Sequence, residues 1–239
     1  MKHFKFLAPI AIGVSMILFS CNSGEEKKVD ETAADTSTTK APDAMPAKPA
    51  NLMIVMHKVA NFAKWLPVFE ASDSLINAYS LHRFVVARGV KDTNMVMVAT
   101  RMDDTARAKA FAASPDLKAA MHKSGVIGMP TISYLDVQMQ DTTANTSNIR
   151  LMVTSKVKDW DAWKKSFDSH KQTRLDSGLI DRALGYSVDD NHMVTIVLIV
   201  TDMKRAEAFS KSADLKKKMD EAGVVGPPTF FYYTVAKKY

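Results

Sequence analysis

Beyond residue 50 the chain falls into short apolar runs separated by polar turns, and the runs return in the same order. LMIVMHKV (52–59) has the β-rich composition of a strand. Trp65, Phe69 and Ile76 follow at helical spacing and predict one helix. HRFVVARGV (82–90) and MVMVATRM (95–102) predict a second and third strand across a short polar turn. Ser114, Pro115 and Asp116 then form a helix start: a hydroxyl cap, a proline in the first turn and a carboxylate at the positive end. PTISYLDV (130–137) reads as the closing strand. The series repeats as LMVTSKV (151–157), a helix bearing Trp163, Phe167 and Arg174, DRALGYSV (181–188), MVTIVLIV (193–200), a helix opened by Ser212 and Asp214, and PTFFYYTV (228–235).

The two series align without a gap at an offset of 98 residues, with roughly a third of positions identical. A match this long is a duplication. It is densest between AFAASPDLKAAMHKSGVIGMPTISY (110–134) and AFSKSADLKKKMDEAGVVGPPTFFY (208–232). There Gly125 and Gly223 stand where a left-handed helix end is wanted. Gly128 to Pro130 and Gly226 to Pro228 predict a stiff turn into the last strand. Glycines that follow a helix do not make the phosphate cradle that glycines before one can make. Each unit reads strand, helix, strand, strand, helix, strand, the ferredoxin-like order.

Val194 to Val200 barely alternates between apolar and polar, so both of its faces need cover. Helices cover one face, and the sheet of the other repeat is expected to cover the second. The linker spans about 35 Å when extended, enough to cross a small domain. The expected fold class is α+β: two tandem βαββαβ units packed sheet to sheet as an intramolecular dimeric α+β barrel, in a monomer. The expected organisation is a signal over 1–20, an acylated cysteine and tether over 21–50, a first repeat over 51–138, a linker over 139–149 and a second repeat over 150–239.

The Trp-x3-Phe helix and the AF-x2-S-x-DLK-x2-M-x3-GV-x-G-x-P stretch resemble the dimeric α+β-barrel superfamily, in its antibiotic-biosynthesis-monooxygenase-like and cyclase-like members. The resemblance covers about 52–235, twice over. It implies a fold and a menu of activities, among them cofactor-free oxygenases, haem-degrading enzymes, isomerases and cyclases, but no single function. The Asn, Trp and His set of the haem-degrading members is not complete in either repeat.

The N-terminus carries Lys2 and Lys5, then an apolar run from Phe6 to Ser20, too short for a membrane span and built like a secretory signal. It ends at Cys21, the only cysteine, in a setting that resembles the lipobox of bacterial lipoproteins, although Phe19 departs from the usual small residue. The resemblance implies acylation of Cys21 and a membrane anchor. Residues 22–50 contain no aromatic side chain and read as a disordered tether. Localisation is thus expected in the bacterial cell envelope. The net charge of +6 divides into +2 on the signal, −2 on the tether, +2 on the first repeat and +4 on the second. Lys216, Lys217 and Lys218 lack interleaved aromatics and read as a solvated helix face, so no nucleic-acid partner is expected.

Five histidines follow the signal: His57, His82, His122, His170 and His192. None is duplicated. His170 lies on the predicted long helix with Arg174 one turn on, and that pair is a candidate ligand contact. Lys58 and Lys156, and Tyr134 and Tyr232, are duplicated polar residues and candidates for that reason. Trp65 and Trp163 read as core. There is no metal motif, no nucleophile elbow and no duplicated acid–base set. The fifteen methionines are scattered and read as core filling. The expectation is a non-enzymatic binding module for a small hydrophobic ligand, without cofactor, metal or catalytic residue. The alternative is a cofactor-free oxygenase or cyclase acting on a hydrophobic, aromatic compound.

Overall fold

The computed structural model describes residues 49–239. The expected signal, Cys21 and nearly all of the tether lie outside them. The first repeat is built of β1 (Leu52–Val59), α1 (Phe62–Glu70), α2 (Asp73–Ala78), β2 (Leu81–Gly89), β3 (Met95–Met102), α3 (Thr105–Ala113), α4 (Pro115–Lys123) and β4 (Val126–Gln140). The second is β5 (Ile149–Val157), α5 (Trp160–Ser169), α6 (Lys171–Asp176), β6 (Leu179–Ser187), β7 (Met193–Val200), α7 (Met203–Ser210), α8 (Ala213–Glu221) and β8 (Val224–Lys238).

The eight strands form one closed antiparallel barrel in the order β1-β3-β2-β8-β5-β7-β6-β4. Each repeat contributes four neighbouring strands, and β4 and β8 make the closure. These strands are 15 residues long. Their first halves pair with β1 and β5 of their own repeats, and their second halves with β6 and β2 of the other. The two sheets therefore join edge to edge as well as facing each other, so no edge strand is left to template aggregation.

Strand β7 shows why the sequence alternates so weakly there. Ile196 and Leu198 pack under the helices, while Val197 packs into the barrel interior with Ile54, Met97, Leu135, Met152 and Tyr233. Trp65 and Trp163 are buried between helix and sheet, as their spacing with Phe69 and Phe167 requires.

Two expectations are corrected. The predicted long first helix of each repeat is two helices, α1–α2 and α5–α6. The break follows the Phe69 and Phe167 carbonyls. An arginine donates to each, Arg83 Nη2 to Phe69 O and Arg174 Nη1 to Phe167 O at 2.6 Å, and the chain turns through a three-residue hydrogen bond instead. His170 consequently lies at the α5–α6 junction rather than within a helix. A further helix, α3 or α7, precedes the capped one. Ser114 ends α3 in extended backbone, as a residue before proline must, and opens α4 by accepting from the Leu117 amide at 3.1 Å. Ser212 does the same without a following proline, so the hydroxyl cap suffices.

The second correction concerns Gly128 to Pro130 and Gly226 to Pro228. They are bulges inside β4 and β8, not turns leading into them. Met56 faces Thr131 and Lys58 faces Ile127, so residues 128–130 bulge opposite His57 alone. The second repeat bulges in the same way opposite Ser155. Gly128 and Gly226 adopt φ of +73° and +72°, where a side chain would be strained.

Candidate functional site

Each repeat holds a half-open cavity between the outer face of its sheet and its helices. The cavity of the second repeat is about 110 Å³. Its floor is Leu151, Val153, Ser155, Ile196 and Leu198, and its walls include Trp163, Phe167, Leu215 and Met219. The cavity of the first repeat is about 70 Å³ and has the equivalent floor, Met53, Val55, His57, Val98 and Thr100, under Trp65, Phe69, Leu117 and Met121. No charged side chain lines this smaller one. The bulges in β4 and β8 fall beside the floor positions 57 and 155.

The structure brings His170 and Arg174 together on the larger cavity. Arg174 is buried and heavily committed. Its guanidinium makes a two-point ion pair with Asp181 (2.8 and 2.7 Å), bonds the Phe167 carbonyl and lies 3.5 Å from the centre of the Phe167 ring. It serves as wall and helix clamp. His170 is half-buried at the junction.

The other candidates do not join them. Lys58 is an exposed partner of Asp92 at 2.8 Å, at the far end of β1, and the hydrogen bond from Lys58 holds the Asp92 carboxyl below its usual range. Lys156 is its exposed counterpart on β5, near Asp190. Tyr134 packs against the α3 side of the sheet with Lys109 5.6 Å from its ring, and burial raises its phenol. Tyr232 packs with Leu151, Leu198 and Phe209 outside the cavity lining; its phenol is likewise pushed up by burial, close to the Ser210 hydroxyl.

The residue that sequence reasoning passed over is His57. It is 5% exposed, and neither ring nitrogen has a hydrogen-bond partner among the described residues. Burial pushes its pKa down to about 4, so the ring is neutral at physiological pH. A signal was present: His57 continues the alternation Met53, Val55, His57, Val59, whose members face the helices. Arg83 was also missed. It clamps the Phe69 carbonyl as Arg174 clamps that of Phe167, though it comes from a strand rather than a helix. Among the described residues no three His, Cys, Asp or Glu side chains cluster closely enough to hold a metal ion, and no helix is long and apolar enough to cross a membrane.

No protein-family model matches the chain, and no curated protein sequence does. Solved structures do match. An anthrone oxidase-like protein superposes with a TM-score of 0.54 at 11% identity, over 80% of this chain and 92% of its own. A candidate monooxygenase from Fusobacterium nucleatum gives 0.52 at 13% identity, over 80% and 94%. Another, from Lactobacillus acidophilus, gives 0.51 at 11%, over 79% and 95%. At these identities the likeness is one of fold. The chain shares the α+β-barrel fold of these solved structures.

Proposed function

We propose that this protein is an envelope lipoprotein, anchored through Cys21, that binds small hydrophobic molecules in the cavities between sheet and helices. The observation that carries the binding reading is the pair of cavities itself. Both are walled by stacked aromatic and aliphatic side chains and present mostly apolar surface, with polar groups that can orient a guest, the composition of a site that takes an apolar molecule. No acid, base or nucleophile set recurs in both repeats, which favours binding over turnover. The anchor reading rests on the short apolar leader that ends at the single cysteine.

The second reading is a cofactor-free oxygenase, favoured by the names of the structural neighbours, an anthrone oxidase-like protein and candidate monooxygenases. Titrating the full-length protein with toluene, followed by tryptophan fluorescence, tests the first reading directly, because Trp65 and Trp163 line the two cavities. Saturable quenching is expected. Oxygen uptake on addition of anthrone would instead establish the oxygenase. In cells, labelling with a fatty acid is expected to mark the wild type and not Cys21→Ala; label in the variant would remove the anchor.

A further inference from the structure

The two cavities occupy equivalent places, but their polar groups have changed places. At the floor the first repeat has His57 and the second has Ser155, one offset apart. At the helix junction the first has Ser72 and the second His170. Each cavity thus holds one imidazole, at the floor in the first repeat and at the junction in the second, with a serine at the equivalent position of the other end.

In the first repeat the hydroxyls are occupied. Ser72 donates to the Phe69 carbonyl at 2.6 Å, Ser124 to Met121 at 3.0 Å and Thr100 to Met53 at 3.4 Å. His57 is the one lining side chain left with buried polar atoms and no partner among the described residues. Such a group carries the penalty of desolvation without return, and a hydroxyl that reached it would supply the missing partner. A neutral imidazole presents one N–H donor and one bare nitrogen acceptor. Around it stand Trp65, whose ring centre is 5.5 Å from that of His57, and Phe69, stacked on Trp65 at 4.9 Å. With no charged side chain in the lining, an ionic guest would be left unpaired. The cavity, about 70 Å³, is well above the ~10–15 Å³ that one water needs, and it limits the guest to something near a single ring.

We infer that the cavity of the first repeat is selective for an uncharged single-ring molecule bearing one hydroxyl, which hydrogen-bonds to a ring nitrogen of His57 while its apolar body lies against Trp65 and Phe69. This rests on the cavity-binding reading above and adds the chemical class of the guest. It also makes the two cavities different receptors: the second repeat has a serine at the floor and its imidazole at the junction.

Phenol and toluene are the paired probes, nearly equal in shape and differing in the hydroxyl. The full-length protein, labelled with ¹⁵N at histidine, is titrated with each while the ring nitrogens are followed by long-range proton–nitrogen NMR. Phenol is expected to bind about tenfold more tightly than toluene at this cavity, the scale of one hydrogen bond to a desolvated partner. The His57 ring nitrogens are expected to shift with phenol and not with toluene. His57→Leu should abolish the preference while keeping toluene binding. Equal binding of both probes with an unresponsive His57 ring overturns this inference and leaves the cavity reading standing. Binding of neither probe removes both. If His57→Leu does not fold, the wild-type ring shifts decide alone: a response to phenol confined to His170, or none, is a negative result.

Discussion

At the scale of single residues, the polar side chains exchanged between the repeats, His57, Ser72, Ser155 and His170, lie on the cavities, while most duplicated polar side chains lie away from them. Asp104 and Asp202 cap α3 and α7, and Arg107 and Arg205 tie those helices to the carbonyls of Ala78 and Asp176. Duplication preserved these because both repeats need the same local geometry. The histidines were not duplicated, yet two of them line cavities. Repetition therefore marked the struts, and the departures from repetition marked the places where the two halves became chemically distinct. His57 also makes stability depend on pH. Its folded pKa is depressed from 6.5 to about 4 by burial. As pH falls below 6.5 the unfolded chain takes up a proton there that the folded protein refuses until about pH 4, so stability is lost across that window. The loss is on the order of 3 kcal/mol by linkage. Urea unfolding of wild type and His57→Leu between pH 7.5 and 4 is expected to show a flatter profile for the variant by that amount. Parallel profiles would mean that the imidazole is not desolvated.

At the scale of elements, the repeats solve one problem with different parts. Both end their first helix by giving its Phe carbonyl to a guanidinium that also stacks on the same Phe ring. The partners differ. Asp181, beside buried Arg174, is only 14% exposed, whereas Asp73, which pairs with Arg83 at 2.7 Å, is 66% exposed. Asp181→Ala leaves a buried cation without its partner and is expected to destabilise by about 3–5 kcal/mol. Asp73→Ala removes a solvated pair and should cost less than about 1 kcal/mol. Thermal or urea unfolding of the two variants checks the contrast. The strands were legible in the sequence because alternation and β-branched content act locally, and β3 and β7 fall at the limits expected for them. The helix breaks were not, because the competitor for the helix carbonyl arrives from a strand in one repeat and from the next helix in the other. The bulges at Gly128 and Gly226 also escaped: Gly and Pro signal that the backbone departs from regularity, but whether it leaves the sheet or bulges within it depends on the facing strand.

At the scale of the whole molecule, the weak alternation of β7 foretold a strand covered on both faces, and the barrel bears this out. Asp in place of Val197 would enter the barrel interior, and Asp in place of Ile196 or Leu198 the layer beneath the helices. Each is expected to cost several kcal/mol, because a carboxylate would lose its hydration on entering a packed, largely apolar layer. Unfolding of the chain from residue 49 onward, with sedimentation to give its mass, should show a monomer intolerant on both faces. Tolerance at Val197 alone would mean that the barrel interior is wet, and an obligate dimer would mean that the repeats close on a second chain. Closure also fixes the order in which the protein becomes safe from its own edges. A ribosome delivers β2 early, yet its outer hydrogen bonds wait for Tyr233 to Lys238, near the end of β8. Until that stretch emerges, the first repeat is a half-shell with an open seam, competent to pair with any passing strand. Nascent chains stalled before residue 230 should therefore be the species that chaperones retain, and trimming the last strand by a few residues would reopen the seam in the finished protein.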